Sequence, residues 1–299
     1  MLSGTLIPLV TPFLAGMIDE DAFAHHVETL LAAGVSGFVT GAIAGEGLTL
    51  TPREKERLIR VAVEATGRRV PVIAATGTNA TEATILATRA ARDAGASAAL
   101  LVTPYYNKPS QEGMYRHFKA VAEAVDLPLI LHNTPQRTQV TLAPETLDRL
   151  GQLPSIFALL DESDDLCRQR AVAEVCAERL WRIAPGSLAA FLPGLRPPRA
   201  CMSLAANIAP HLCVRLWEHR LAGRGKDVAA LAAALDTLQH ALDLEPEPVG
   251  AKYAISLLTP TFSPAPRLPL TAATPAAASA IRVALAALAG THERALHPV

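Results

Sequence analysis

Leu127-Pro128-Leu129-Ile130-Leu131-His132-Asn133-Thr134-Pro135 and Ile156-Phe157-Ala158-Leu159-Leu160-Asp161-Glu162-Ser163 form the stretch on which the fold turns. Each run is a short apolar strand that ends on polar residues, and the helix-period segment 144–150 separates them. Strand, helix, strand is the repeating unit of a parallel sheet, whose buried strands read as near-continuous hydrophobic runs. The two strand ends, His132 and Leu160, stand 28 positions apart (160 minus 132).

The same alternation extends in both directions. Strands are predicted at 6–10, 37–40, 70–74, 98–102, 127–131, 156–160, 181–184 and 200–204. Amphipathic helices are predicted at 19–33, 52–65, 80–94, 111–125, 144–150, 164–178, 188–195 and 210–222. Eight strands, each followed by a helix, match a TIM (β/α)8 barrel, an α/β fold, rather than an open sheet. Thr51-Pro52 with Glu54 reads as an N-cap, a first-turn proline and a capping-box acid. From Arg224 to Leu288 the pattern predicts three more helices with proline-rich joints at 245–248 and 259–269. The predicted organisation is therefore a barrel over 1–223 and a C-terminal helical extension over 224–299 packed on it.

Composition narrows the function. Half of the 299 residues are hydrophobic, only 4% are aromatic, and the net charge is −1. Lys and Arg are scattered rather than clustered, which argues against nucleic acid or an anionic membrane as partner. No apolar run reaches the roughly 18 residues that a membrane helix needs. Cys167, Cys176, Cys201 and Cys213 form no CxxC pair and no metal spacing, so they read as small apolar residues in a reducing compartment. With no basic-then-apolar leader evident, a soluble cytoplasmic protein without metal or cofactor is expected.

In a barrel the chemistry sits on the loops at the C-terminal strand ends. One of these loops, Val102-Thr103-Pro104-Tyr105-Tyr106-Asn107-Lys108-Pro109-Ser110-Gln111-Glu112-Gly113, carries a specific resemblance. With Gly77-Thr78-Asn79, Asn133-Thr134-Pro135-Gln136-Arg137-Thr138, Glu245-Pro246-Glu247-Pro248 and Arg267-Leu268-Pro269-Leu270, it resembles the dihydrodipicolinate synthase / N-acetylneuraminate lyase family of class I pyruvate aldolases. The likeness runs from Gly4 to about Leu270. It implies a lyase in which a lysine amine captures a keto carbon as an imine. The position that matches this lysine is Leu160, and no lysine occurs between Lys119 and Lys226. The family's Gly-Thr-Thr-Gly-Glu loop reads here Ala42-Ile43-Ala44-Gly45-Glu46, so Ile43 and Ala44 replace two hydroxyls, and His132 replaces a tyrosine. The resemblance further implies that Tyr106 reaches a neighbouring subunit's site, that Arg137 receives substrate carboxylates, and that two tight dimers form a homotetramer.

Each candidate has two readings. His132 is either a general acid/base or a space-filling histidine bound to a carbonyl. Tyr106 either moves protons or, its relay partners being absent, packs at an interface. Arg137 either binds a carboxylate bidentately or forms a structural ion pair, although no acid lies near it in sequence. Glu46 is expected to be structural, tying backbone amides or the next helix. Met202 joins Ile43, Ala44 and Leu160 in the predicted pocket lining. Asp161, Glu162, Asp164 and Asp165 suggest a metal site, yet Asp161 should point away if Leu160 points inward, so solvent-facing acids at a helix start are expected instead.

Two functions follow. One is a divergent lyase-family protein that binds a small 2-oxo or hydroxy acid, held by Arg137 with His132 moving a proton, without Schiff-base chemistry. The other is an inactive paralogue that binds a ligand or partners an active homologue.

Overall fold

Eight parallel strands close into a barrel in the order β1-β10-β9-β8-β7-β6-β5-β4. They are β1 (Gly4–Pro8), β4 (Gly37–Thr40), β5 (Val72–Ala75), β6 (Ala98–Val102), β7 (Leu129–Asn133), β8 (Ile156–Asp161), β9 (Trp181–Pro185) and β10 (Ala200–Met202). The molecule is a computed structural model describing residues 2–163, 165–186 and 197–296. Each strand overlaps one that the sequence predicts, and the predicted helix at 188–195 lies outside the described residues. A two-stranded hairpin, β2 (Phe13–Leu14) and β3 (Met17–Ile18), is additional. Its turn holds Ala15 at φ 51° and Gly16 at φ 81°, the left-handed backbone that two-residue hairpin turns require.

Strand parity divides the core. Leu100, Ile130, Ala158, Leu160 and Ala200 fill the barrel interior with Leu6, Val39 and Ile73. Their sequence neighbours Leu101, Leu129, Leu131 and Leu159 face outward and pack under the surrounding helices. Those helices are α1 (Glu20–Ala32), α2 (Pro52–Thr66), α3 (Thr81–Asp93), α4 (Gln111–Ala124), α6 (Pro144–Leu150), α7 (Leu166–Arg179) and α8 (Pro210–Leu221). Local chemistry sets several of their starts. Thr51 and Glu54 form the reciprocal capping box at α2, Ser110 caps α4 through Gly113 N–H, and Asp165 caps α7 through the N–H groups of Cys167 and Arg168. A four-residue helix, α5 (Pro135–Thr138), follows β7 and was not foreseen.

The C-terminal extension consists of α9 (Gly225–Leu242), α10 (Val249–Leu258) and α11 (Pro275–Leu296). Leu231, Leu235, Leu238, Ile255 and Ile281 share one buried cluster with Ile7, Phe23, Leu58 and Leu212. The extension thus packs on one side of the barrel, and its α9–α10 joint delivers a residue to the barrel mouth, as described next. Among the described residues no helix is long and apolar enough to cross a membrane.

Candidate active site

The β7–β8 ladder sets His132 opposite Leu160. His132 lies two residues beyond the interior-facing Ile130, so the period-2 alternation of a strand directs its ring to the lumen. Leu160 is fully buried in that same interior set. Met202, at the end of β10, packs partly buried against this interior cluster, and so does Ala42 from the loop after β4. Ile43 is half-buried in that loop. Ala44 is buried with Leu9, Val10 and Phe13, a different cluster from the one that lines the barrel interior. From this loop it is therefore Ala42, and not Ala44, that packs against the barrel-interior cluster.

The loop is held by close backbone packing. Gly41 takes φ 68°, and a Cβ on Gly47 would run into the Gly41 carbonyl. Gly45 and Gly47 both donate to the Ala42 carbonyl, at 3.1 and 3.0 Å. Glu46 is buried and ties the loop to the C-terminal extension. Its Oε1 accepts from Lys252 Nζ at 2.7 Å, and its Oε2 accepts from the Arg267 backbone N–H at 2.8 Å.

A polar cluster surrounds the mouth above Leu160. His132 Nε2 stands 3.3 Å from Glu162 Oε2. The geometry is not that of a formed hydrogen bond, so this buried nitrogen has no hydrogen-bond partner among the described residues. Arg137 Nη2 donates to Glu247 Oε2 at 3.0 Å. Glu247 comes from the joint before α10, 110 residues along the chain. Burial opposes ionisation of Glu162, but its contact with His132 and that residue's charge, a hydrogen bond with Thr134 and the charge of Arg137 together outweigh that and hold the carboxyl below its usual range. Burial pushes the Glu247 carboxyl up to about 7; Arg137 and His132 pull it down, while Glu162 and Asp243 add to the rise.

Asp161 and Glu162 do not face solvent as expected, whereas Asp165 is exposed at its helix start as expected and Asp164 lies outside the described residues. Asp161 points outward from the strand, as parity requires, but its Oδ2 accepts from Arg168 Nη2 at 3.0 Å with both side chains largely buried. Its Oδ1 accepts from Asn133 Nδ2 at 2.9 Å and from Ser163 N–H at 3.1 Å. Glu162 turns back to the mouth, and Asp165 is the α7 cap. Glu162 had a signal in the sequence: it is two residues beyond an inward-facing Leu160. Glu247 had none, because only the closed fold brings the joint at 245–248 to Arg137.

The fully buried lysine among the described residues is engaged elsewhere. Lys252 is fully buried, but its Nζ donates to Glu46 Oε1 and to the Ala265 carbonyl (2.6 Å) and lies 4.4 Å from the centre of the Phe13 ring. Tyr106, at φ 71°, is 92% exposed. A cavity of about 850 Å³ opens at the other end of the barrel, where Leu2, Phe157, Trp181 and Arg68 line it. It holds none of the strand-end groups.

The mouth therefore offers one unsatisfied imidazole nitrogen, two carboxylates and one guanidinium over an apolar floor. Imidazole and a carboxyl near neutrality are the groups suited to moving protons at ordinary pH.

Comparison with known proteins agrees with the architecture. The model of the dihydrodipicolinate synthetase family matches residues 1–288. A 4-hydroxy-tetrahydrodipicolinate synthase of Rhodospirillum centenum is 40% identical over 285 residues, covering 95% of this chain and 98% of the relative. The structure of the chloride-inhibited dihydrodipicolinate synthase from Acinetobacter baumannii complexed with pyruvate superposes with a TM-score of 0.91 at 34% identity, over 97% of this chain and 99% of that one. The synthase of Methylacidiphilum fumariolicum gives 0.92 at 28% identity, over 98% of both chains.

Proposed function

Because the chain belongs to the dihydrodipicolinate synthetase family and is a lyase of that type, we propose that it acts on a small 2-oxo or hydroxy acid by proton transfer at His132, without an imine. The observation that carries this reading is Leu160, a buried hydrocarbon side chain set across the ladder from His132, at the position that the family resemblance matches to the carbonyl-capturing lysine. Leucine has no lone pair with which to attack a keto carbon, and the buried Lys252 amine is held by Glu46 and Ala265. What remains is positioning and acid/base help at the mouth, the latter worth about 10²–10⁴-fold in rate. The ligand's polar end faces His132 and Arg137, and its apolar end rests on Leu160, Met202 and Ala42.

Incubation with pyruvate and borohydride, followed by intact mass measurement, is expected to return the unmodified chain; a stable adduct would refute the reading. A thermal-shift screen of 2-oxo and hydroxy acids then selects ligands for turnover assays. Replacing His132 by Gln is expected to lower any turnover by about 10²-fold or more.

A second reading, a non-catalytic subunit that partners an active relative, draws support from the exposed Tyr106 and Leu48, apolar surface of the kind that marks interfaces. Mixing with an active relative and native mass spectrometry separates the two. Homo-oligomers alone, together with His132-dependent turnover, would exclude the partner role; a dimer of dimers is the expected assembly.

A further inference from the structure

We propose that Glu247 determines which ligands the mouth accepts: its carboxylate already occupies the acid-binding face of Arg137, so an acid ligand binds only by displacing it. This deepens the reading of the site as one for a small acid, and it rests on that reading. The Arg137 Nη2 to Glu247 Oε2 distance of 3.0 Å is that of a formed, charge-assisted pair. Arg137 is 47% exposed and Glu247 27%, so the pair lies at the entrance, where an arriving ligand meets it. A second carboxylate, Glu162, sits in the same cluster against His132. One guanidinium faces two carboxylates, and an added anion is repelled unless one of them gives way. His132 Nε2, 94% buried and without a hydrogen bond, is left for the ligand's oxo or hydroxy oxygen.

Displacement has a proton cost that can be measured. The charged groups facing Glu247 are Arg137 from α5, His132 from the end of β7, Glu162 from beyond β8 and Asp243 from the end of α9. Once Arg137 turns to the ligand, only acids and the histidine remain about Glu247, and the carboxyl takes a proton from solvent. Its carboxyl already sits near 7 when paired, so at pH 6 it is mostly protonated and yields readily, while at pH 8 it is mostly ionised and competes. For a group at 7 the competing fraction changes the apparent affinity about tenfold between these pH values.

The test uses lactate and its uncharged amide, lactamide, as probes in calorimetric titrations of the full chain and Glu247→Gln at pH 6 and pH 8. At pH 6 the two proteins are expected to bind lactate within about twofold of each other. At pH 8 the variant is expected to bind it about tenfold more tightly, and its preference for lactate over lactamide should rise equally. Titration in two buffers of different protonation enthalpy is expected to show close to one proton taken up per lactate by the wild type at pH 8, and far fewer by the variant. Glu247→Asn gives the same expectation should the glutamine form unfold. A lactate-to-lactamide ratio that does not differ between wild type and variant at pH 8 overturns the displacement while leaving the small-acid reading standing. Failure of both probes to bind any of the folded proteins overturns both.

Discussion

Replacing Glu46 by Gln removes one charge from the best-buried ion pair described here, and the structure fixes what this should cost. Glu46 and Lys252 side chains are both at zero exposure, 2.7 Å apart. Removing one partner of a buried pair typically costs 3–5 kcal/mol, because the other charge is left uncompensated. Here the Ala265 carbonyl and the Phe13 ring still receive the ammonium, and the glutamine oxygen can keep one of the two contacts. The low end, about 3 kcal/mol, is therefore expected. Equilibrium urea unfolding should show a lower midpoint with an unchanged slope. The pH dependence has a definite sign. Burial lowers the Lys252 pKa below its ordinary value of 10.5, with Glu46 pulling it back up. The unfolded chain therefore binds more protons than the folded one, and stability rises with pH within the window between the lowered value and 10.5. Without Glu46 the window widens downward, so the variant should recover part of its loss on going from pH 7 to pH 9. Adding Lys252→Met should restore most of it, since buried pairs exchange well for apolar groups. A loss under about 1 kcal/mol, or a loss that the second substitution deepens, would refute the reasoning.

Other expectations follow from neighbouring contacts. Arg267 Nη2 lies 2.6 Å from Glu54 Oε1, and this hydrogen bond first, with those of Thr51, holds the Glu54 carboxyl down to about 2 from 4.5. A depressed carboxylate contributes stability above 4.5 that is lost as pH falls toward 2, so the stability gap between wild type and Arg267→Met, read by urea unfolding, should shrink from pH 7 to pH 3. Asp161→Asn leaves the largely buried Arg168 guanidinium without its counter-charge and should cost about 3 kcal/mol; a surface-like change of a few tenths would mean that the pair is solvent-screened. Gly47→Ala drives a methyl into the Gly41 carbonyl, and a lowered thermal midpoint is expected from the strained loop, with an unchanged midpoint counting against the close approach.

How much of this was legible in the sequence depended on how local the cause was. Strands such as 98–102 and 156–160 stand out because both faces are buried and the whole run is apolar. The α2 start was legible from three residues, Thr51, Pro52 and Glu54, and the capping box is present. Bounds at 127–131 slid by two residues to Leu129–Asn133, because His132 and Asn133 are polar yet buried: one faces the lumen, and the other serves Asp161 and the backbone N–H of Leu142. The hairpin at Phe13–Ile18 is too short for any period to register. Among the site residues, His132 and Leu160 could be placed side by side from strand ends alone. The ion pairs could not, since Arg137 finds its acid only after the chain has closed the barrel and returned through α9. The reading of Asp161 and Glu162 as solvent-facing acids failed for a related reason, while Asp165 is exposed as expected. Strand parity continues past the last ladder bond, and it sends Glu162 inward.

Glu247 belongs to the joint between two peripheral helices, and this separates the barrel's carpentry from its taste in ligands. Every group on a strand end can stay as it is while the acceptor facing Arg137 is exchanged by altering one short bend far down the chain. A chimera that takes its sequence after Asp243 from a relative would inherit that relative's choosiness together with its tail. For anyone redesigning this scaffold, the cheapest place to retune it is therefore a corner that no inspection of the central cylinder would single out.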